Sequence, residues 1–137
     1  MIQEQATTEA AYWDPPSDQQ VVVHVSTDDD LTRLLDLVLT LRSGRGIPAL
    51  EIRRNDGSSV SLGTDGTWAL VTWTNPLKET FHSIGDHHGD VMVFDYFGSW
   101  SEAPAEWLVL LEKATISLES YVNTGLPDTE DVVFEPD

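Results

Sequence analysis

The segment from Asp86 to Asp90 has the residue types best suited to binding a metal ion. It contains two imidazoles and two carboxylates, which are common ligands of divalent transition metals. Adjacent residues in one loop rarely converge on an ion without a ligand from another element, and the chain has no HExxH motif and no spacing typical of a two-histidine, one-carboxylate site. We therefore predict a polar connection between strands, and no metal or other cofactor.

His82, Asp95 and Glu102 are the side chains from which a general acid–base pair could be built. Asp95 interrupts an apolar run, so we expect it to accept hydrogen bonds from backbone amides of the segment that follows it. Ser99 and Ser101 do not lie in a GxSxG motif, and the chain has neither a GxxxxGK[ST] nor a GxGxxG phosphate-binding sequence. No catalytic set is recognisable, and the protein is not predicted to be an enzyme.

Charge is the strongest global property of the chain. Its 137 residues include 24 acidic and 7 basic side chains, which gives a formal net charge of −17. Residues 79–137 hold 13 of the acids and 1 of the bases. Such a surface repels nucleic-acid phosphates, so direct nucleic-acid binding is not expected. It attracts basic partners, whose association it can accelerate by about 10- to 1,000-fold at low salt, although solubility is the alternative explanation.

Other features of the sequence limit the class of protein. The length is that of one domain with a substantial core, and the absence of cysteine excludes disulfides and cysteine-ligated zinc. No apolar run approaches the roughly 18 residues of a membrane span, and residues 1–10 lack the basic and apolar regions of a secretion signal. We therefore expect a cytoplasmic protein that does not bind membranes.

Hydrophobic periodicity predicts the elements that would position these side chains. Residues 1–18 are polar and contain Pro15 and Pro16, which predicts a flexible arm before a single domain at 19–137. Within that domain we expect a strand at 20–25 and a helix that begins after Thr27 and presents one apolar face. A meander of about five strands follows, and then come a second helix and a last short strand.

The predicted fold class is therefore α+β. It has a mostly antiparallel sheet of about five to seven strands, with two helices packed on one side. In this arrangement Trp68 and Trp73 belong to a central strand and should lie in the core.

The stretch from Val91 to Trp107 is the most informative about function. Its first seven residues predict a strand buried on both faces. Pro104 lacks an amide donor and restricts Ala103, so residues 99–104 are predicted to form an irregular loop that carries Trp100. Tryptophan is enriched at the energetic centres of protein interfaces, which makes Trp100 a candidate contact with a partner.

Several segments, taken in order, resemble immunity-protein family one of bacterial polymorphic toxin systems, especially its actinobacterial members. They are the strand 68–73 with Asn75-Pro76, the run 91–107 with Phe97-Gly98-Ser99 and Glu102-Ala103-Pro104, and the closing helix with Thr124-Gly125, Pro127 and a short strand. The similarity extends from about Val21 to Glu135, with Phe134 at a position where the family pattern suggests tryptophan.

The resemblance implies an α+β protein that binds a toxin encoded beside it, often a nucleic-acid deaminase, in a one-to-one complex. A deaminase needs a cationic track for its substrate, so a strongly acidic inhibitor would be steered to that track and would exclude the substrate. The predicted partner contacts are Asp86, Asp90, Tyr96, Trp100, Glu102 and Glu106. The motif residues Gly98, Ser99, Glu102 and Pro104 could instead only shape the loop.

Two alternatives remain open from the sequence. One is an acidic binding domain, or a nucleic-acid mimic, that acts on a partner unrelated to deaminases. The other is a small metal-dependent enzyme that uses His87, His88 and Asp95, which would hold metal and lose activity in His87→Ala.

Overall fold

The computed structural model describes residues 8–85, 87 and 89–137. In chain order, the elements of these residues are β1 (Thr8–Asp14), β2 (Gln19–His24), α1 (Asp28–Thr40), β3 (Leu50–Arg54), β4 (Ser59–Thr64), β5 (Trp68–Thr74), β6 (Thr80–Ile84), β7 (Met92–Tyr96), β8 (Ser99–Ala103), a short 3-10 helix (Ala105–Trp107), β9 (Val109–Leu110), α2 (Leu111–Thr124) and β10 (Val133–Pro136). The predicted α+β class is confirmed.

The strands form a large antiparallel sheet and a separate two-stranded hairpin. The large sheet has the order β10-β6-β5-β4-β3-β1-β2, and β9 pairs with β5. Strands β3 to β6 are consecutive neighbours, as predicted for a meander. Strand β7 leaves this sheet and pairs with β8.

Both helices pack on one face of the large sheet. Helix α1 begins after Thr27, whose side-chain oxygen accepts the N–H of Asp30 at 3.1 Å, as expected for an N-cap. The apolar side chains of both helices join the inward residues of the strands in one core, which includes Leu31 and Leu35 of α1 and Leu118 and Tyr121 of α2. The predicted placement of two helices on one side is therefore confirmed.

The β7–β8 hairpin covers part of the opposite face. Met92, Phe94 and Ala103 of the hairpin form a smaller core with Ala49 and Leu108. Gly63 of β4 lies directly beneath the Phe94 ring, and a Cβ atom at this position would lie 2.8 Å from ring carbons. Glycine at position 63 thus allows the hairpin to approach the sheet closely.

The structure contradicts the prediction of a flexible arm at residues 8–18, and the rest of that predicted arm, residues 1–7, lies outside the described residues. Thr8–Asp14 is paired along its length with β2 on one side and β3 on the other. Ala10 and Tyr12 are buried in the main core. Pro15 and Pro16, which suggested an arm, lie in the turn between β1 and β2. The prolines therefore follow the end of a strand. The polar residues on either side of them gave no indication of that strand in the sequence.

The irregular loop predicted for residues 99–104 is also wrong. Phe97 and Gly98 both have positive φ angles, 50° and 88°, which is the geometry of a two-residue hairpin turn. The chain therefore reverses at once, and Ser99–Ala103 pairs with β7. Pro104 follows the last paired residue, where a missing amide donor does not interrupt the ladder. Strand β7 is accordingly part of a hairpin, and the side chain of Tyr96 at its end is exposed.

Candidate partner-binding surface

A buried carboxylate fixes the turn of the β7–β8 hairpin. Asp95 is 0% exposed, and its Oδ1 accepts the N–H of Gly98 at 2.8 Å. Arg45 Nε lies 3.4 Å from the same oxygen, and the backbone of Asp95 is hydrogen-bonded to Ile47 and Ala49. The expectation that Asp95 braces the following segment through a backbone amide is confirmed.

Trp100 and Glu102 lie on the outward face of the hairpin. Side chains alternate along a strand, and the residues paired with Met92 and Phe94, which are buried against the sheet, are Ala103 and Ser101. The side chains of Trp100 and Glu102 must therefore point away from the sheet. The Trp100 side chain is 57% exposed, and its indole Nε1 donates to Glu102 Oε1 at 3.1 Å.

Tyr96 does not share this outward face. Tyr96 lies two residues after Phe94 on the same strand, so its side chain is on the same side of the hairpin as Phe94, which faces the sheet. Its ring packs edge-on against Phe97, with centroids 5.1 Å apart. Burial, with a contribution from the Glu51 carboxylate, raises the pKa of Tyr96. The Tyr96 side chain therefore lies on the opposite side of the hairpin from Trp100, and 43% of it is exposed.

Asp90 and Glu106 flank the open end of the hairpin, opposite its turn. Asp90 is exposed two residues before β7, and Glu106 is exposed in the 3-10 helix that follows β8. Because Met92 pairs with Ala103, both carboxylates lie at the same end of the hairpin. Asp86, the remaining predicted contact, lies outside the described residues.

The side chains considered for acid–base or metal chemistry have separate partners. His82 is 6% exposed, its Nδ1 lies 2.5 Å from Asp137 Oδ1, and its ring stacks on Trp107 with centroids 4.0 Å apart. His87 stacks on Trp68, whereas the side chain of Asp95 contacts Gly98 and Arg45. In the described part of the chain, no three histidine, aspartate or glutamate side chains are grouped as metal ligands would be. His88 lies outside the described residues.

A cleft of about 480 Å³ lies where β9, β6 and β10 meet. Its apolar wall includes Trp68, Leu108 and Val133, and its charged lining comes from Lys113, Glu130 and Asp131. These acids extend the negative surface of the C-terminal half beyond the hairpin. Within the described ranges, neither helix is long and apolar enough to cross a membrane.

Sequence reasoning missed one surface, the outer edge of β2. Residues 20–25 were predicted to form a strand, but their position in the sheet depends on β1, which was interpreted as an arm. With β1 between β2 and β3, strand β2 becomes the last strand of the sheet. The β-prone residues Tyr12 and Trp13 were the available signal for β1.

A family model described as Immunity protein Imm1 matches residues 19–134. The matched range begins at the first residue of β2 and ends within β10, so it includes both helices and the β7–β8 hairpin. Strand β1 lies before it. Comparison with curated proteins gives no match.

Proposed function

The chain belongs to the immunity protein Imm1 family, and we propose that its cognate toxin is a nucleic-acid deaminase whose basic substrate surface it covers. Membership of the family implies an immunity protein of a toxin system, which acts by binding its toxin. The identity of the toxin, the one-to-one stoichiometry and the contact surface are the parts that we propose. Asp86, Asp90, Tyr96, Trp100, Glu102 and Glu106 remain the proposed contacts.

The observation that carries the proposal is the exposed indole of Trp100. The other four tryptophans, at positions 13, 68, 73 and 107, are all partly buried. Trp100 projects from a hairpin whose turn is fixed by the buried Asp95, so it is presented in a defined position. An exposed tryptophan held in a fixed position is typical of an interface centre, because this rigid side chain buries a large area at little entropic cost.

The charge around the hairpin supports a basic partner. Glu102 lies beside the indole, Asp90 and Glu106 flank the open end, and Lys113 is the single basic residue after position 78. A surface of about 1,600 Å², typical of specific complexes, would extend from Trp100 over these carboxylates. A deaminase that binds nucleic acid through cationic side chains would lose access to its substrate when they are covered.

The first experiment captures the partner and measures its inhibition. The tagged chain is used for a pull-down from native host lysate, and the captured protein is identified by mass spectrometry. The purified toxin domain is then assayed for deamination of single-stranded and duplex oligonucleotides. We expect activity to fall linearly to zero at one equivalent of the chain. Capture of a partner without deaminase activity would favour the alternative of a general acidic binding domain.

Replacement of Trp100 with alanine tests the proposed interface centre. Loss of a central tryptophan typically costs about 2 kcal/mol or more, which corresponds to about 30-fold weaker binding. Leu77→Ala is the matched control, because Leu77 is an exposed apolar side chain in the turn before β6. Calorimetry with the purified toxin should show weaker binding for Trp100→Ala alone. Equal affinities for the two variants would remove the hairpin from the interface.

Charge reversal at Glu102 tests the electrostatic part. Glu102→Lys should weaken toxin binding by about 10-fold near 50 mM salt and by less near 300 mM, because salt screens exposed charges. Asp36→Lys makes the same change at an exposed position on α1, and Glu102→Gln keeps an acceptor for the indole. If the affinity of Glu102→Lys is the same as that of Asp36→Lys at both salt concentrations, the acidic hairpin contributes solubility only.

A further inference from the structure

In the described part of the chain, five strands have a partner strand on one side only: β2, β7, β8, β9 and β10. Strand β9 has only two residues, and the outer side of β7 is hydrogen-bonded through Asp95 to Ile47 and Ala49. Strand β10 contains Glu135 and Pro136, and β8 contains Glu102 and is followed by Pro104. Charged residues and proline at such positions discourage pairing with other strands. Strand β2, with the sequence QQVVVH, has neither a charge nor a proline. In a chain of net charge −17 this neutral edge is an exception.

The ladder between β1 and β2 shows which backbone groups point outward. Val25 N–H donates to the Thr8 carbonyl at 3.1 Å, so these two residues form a hydrogen-bonded pair. Such pairs alternate along an antiparallel ladder, so residues 19, 21 and 23 direct their backbone groups toward β1. The N–H and C=O groups of Gln20, Val22 and His24 therefore point away from the sheet, without a partner among the described residues.

The side chains of β2 leave room for one more strand. Val21 and Val23 pack against the main core but are only partly buried, and Val22, on the opposite face, is 48% exposed. An added strand with alternating apolar side chains would cover Val21 and Val23 on the helix face of the sheet. The apolar area and the outward backbone groups would thus be satisfied together, as in binding by strand addition.

Charges at the two ends of β2 determine which strand fits. Asp14 and Asp18 lie at the turn before β2, and Asp28, Asp29 and Asp30 begin α1 just after it. In an antiparallel pairing of two copies, the Asp18 end of one strand would approach the α1 aspartates of the other. These like charges would repel each other. Lysine or arginine at both ends of an added strand would instead be attracted to the aspartates.

We propose that the outer edge of β2 binds an extended, apolar segment with basic ends from the partner, as an additional antiparallel or parallel strand. That the segment comes from the toxin rests on the proposed function. That the β2 edge can bind a strand does not depend on it. It places a second contact on the sheet edge, separate from the β7–β8 hairpin.

The edge can be tested without the toxin. The probe is the synthetic peptide Lys-Lys-Val-Thr-Val-Thr-Val-Lys-Lys, titrated into the isotope-labelled full chain and followed by NMR. We expect chemical-shift changes centred on β2, and slower amide hydrogen exchange at Gln20, Val22 and His24. The same peptide with glutamate in place of lysine should bind at least about 10-fold more weakly near 50 mM salt, with a smaller difference near 300 mM.

Val22→Pro removes the central outward donor. Proline is tolerated at an edge position whose N–H faces solvent, so the pairing of β2 with β1 should persist. Val22→Thr is the matched control, because it keeps the N–H and the β-branched shape. We expect peptide binding to fall at least about 10-fold in Val22→Pro and to stay within about twofold in Val22→Thr. The NMR spectrum of each free variant verifies the fold.

Three results would overturn the proposal. The first is equal peptide affinity for Val22→Pro and Val22→Thr, and the second is shift changes that map away from β2. The third is a dimer in light scattering that Val22→Pro dissociates, because the occupant would then be a second copy of this chain. Loss of toxin inhibition in Trp100→Ala with unchanged peptide binding would support both proposals, since the two assays report on different surfaces.

Discussion

The two faces of the large sheet differ in how they are covered. On the helix face, 20 buried residues among those described form one continuous core of strands, helices and connections. On the hairpin face the corresponding cluster of described residues has 5 members, and the hairpin rests mainly on Phe94 and on the Asp95 contacts. Because hydrophobic stabilisation grows with buried area, the helix face should determine the stability of the fold. The hairpin face is then free to present exposed side chains such as Trp100 to a partner.

This difference predicts that binding and stability can be changed separately. Trp100 and Glu102 contact each other but do not belong to the buried core of either face. Substitutions there should leave the free energy of unfolding within about 0.5 kcal/mol of the wild-type value. Substitutions in the helix-face core should lower the free energy of unfolding much more.

The largest effect is expected for Leu118→Ala in α2. Leu118 is fully buried between the helix and the sheet, so truncation leaves a cavity and should lower the free energy of unfolding by about 3 kcal/mol. Ile116→Ala on the same helix is the control, because Ile116 is 44% exposed and should cost less than about 0.5 kcal/mol. Urea denaturation followed by circular dichroism measures both. Similar losses for the two variants would show that burial of Leu118 in the helix-face core does not determine the stability of the fold.

A smaller effect is expected for Gly63→Ala beneath the hairpin. The new Cβ would lie 2.8 Å from the Phe94 ring, so the ring and the hairpin must move. Such overpacking should lower the free energy of unfolding by about 1–2 kcal/mol. Gly44→Ala is the matched control, since a Cβ there would meet no heavy atom within 4 Å.

A second substitution, at Phe94, tests whether the loss of stability in Gly63→Ala comes from its contact with the Phe94 ring. Adding Phe94→Leu, which removes the ring, should recover part of the lost stability in the double variant. The coupling energy from the double-mutant cycle gives the size of that contact. A coupling energy near zero would show that the hairpin does not press on the sheet at Gly63.

Much of the helix face could be predicted from the sequence because its signals are local. The Thr27 cap, the acids after it and the spacing of Leu31, Leu34 and Leu35 are enough to locate α1. Alternating apolar residues and turn residues located β3 to β6 in the same way. The family resemblance, based on motifs spread over the same region, is confirmed by the match over residues 19–134.

The hairpin face and the sheet edge could not be predicted as well, because strand pairing depends on distant partners. Nothing near Thr8–Asp14 indicates that it lies between β2 and β3, so the position of β2 at an edge was hidden as well. Proline at position 104 suggested a loop, whereas the turn at Phe97 and Gly98 allows Ser99–Ala103 to pair with β7 as a strand. Propensity is weak evidence where such tertiary contacts decide the conformation.

The predicted contact residues show the same limit. Their proximity in sequence suggested one surface, but the register of the hairpin places Tyr96 toward the sheet and Trp100 away from it. A shift of one residue in register would exchange these two faces, and the register follows from the two-residue turn at Phe97 and Gly98, which was not predicted from the sequence. The assignment of contacts therefore needs the structure, and their role in binding remains a prediction.

The smallest effect is an acid-dependent one at the start of α1. Asp30 Oδ2 accepts the Ser26 N–H at 3.0 Å, and Oδ1 pairs with Arg33 at 2.9 Å. These hydrogen bonds, the Ser26 amide first, lower the pKa of Asp30 from 3.8 to about 2. A depressed pKa in the folded state means that the stabilisation is complete above the unfolded pKa and is lost as the pH falls through about 2.

The difference in free energy of unfolding between the wild type and Asp30→Asn should therefore shrink as the pH falls from about 5 to about 2, measured by urea denaturation at each pH. Asp29→Asn, one residue away and exposed, is the matched control, because the Ser26 N–H and hydroxyl donate to Asp30 and not to Asp29. If the two variants show the same pH dependence, the Ser26 contact does not hold the start of α1.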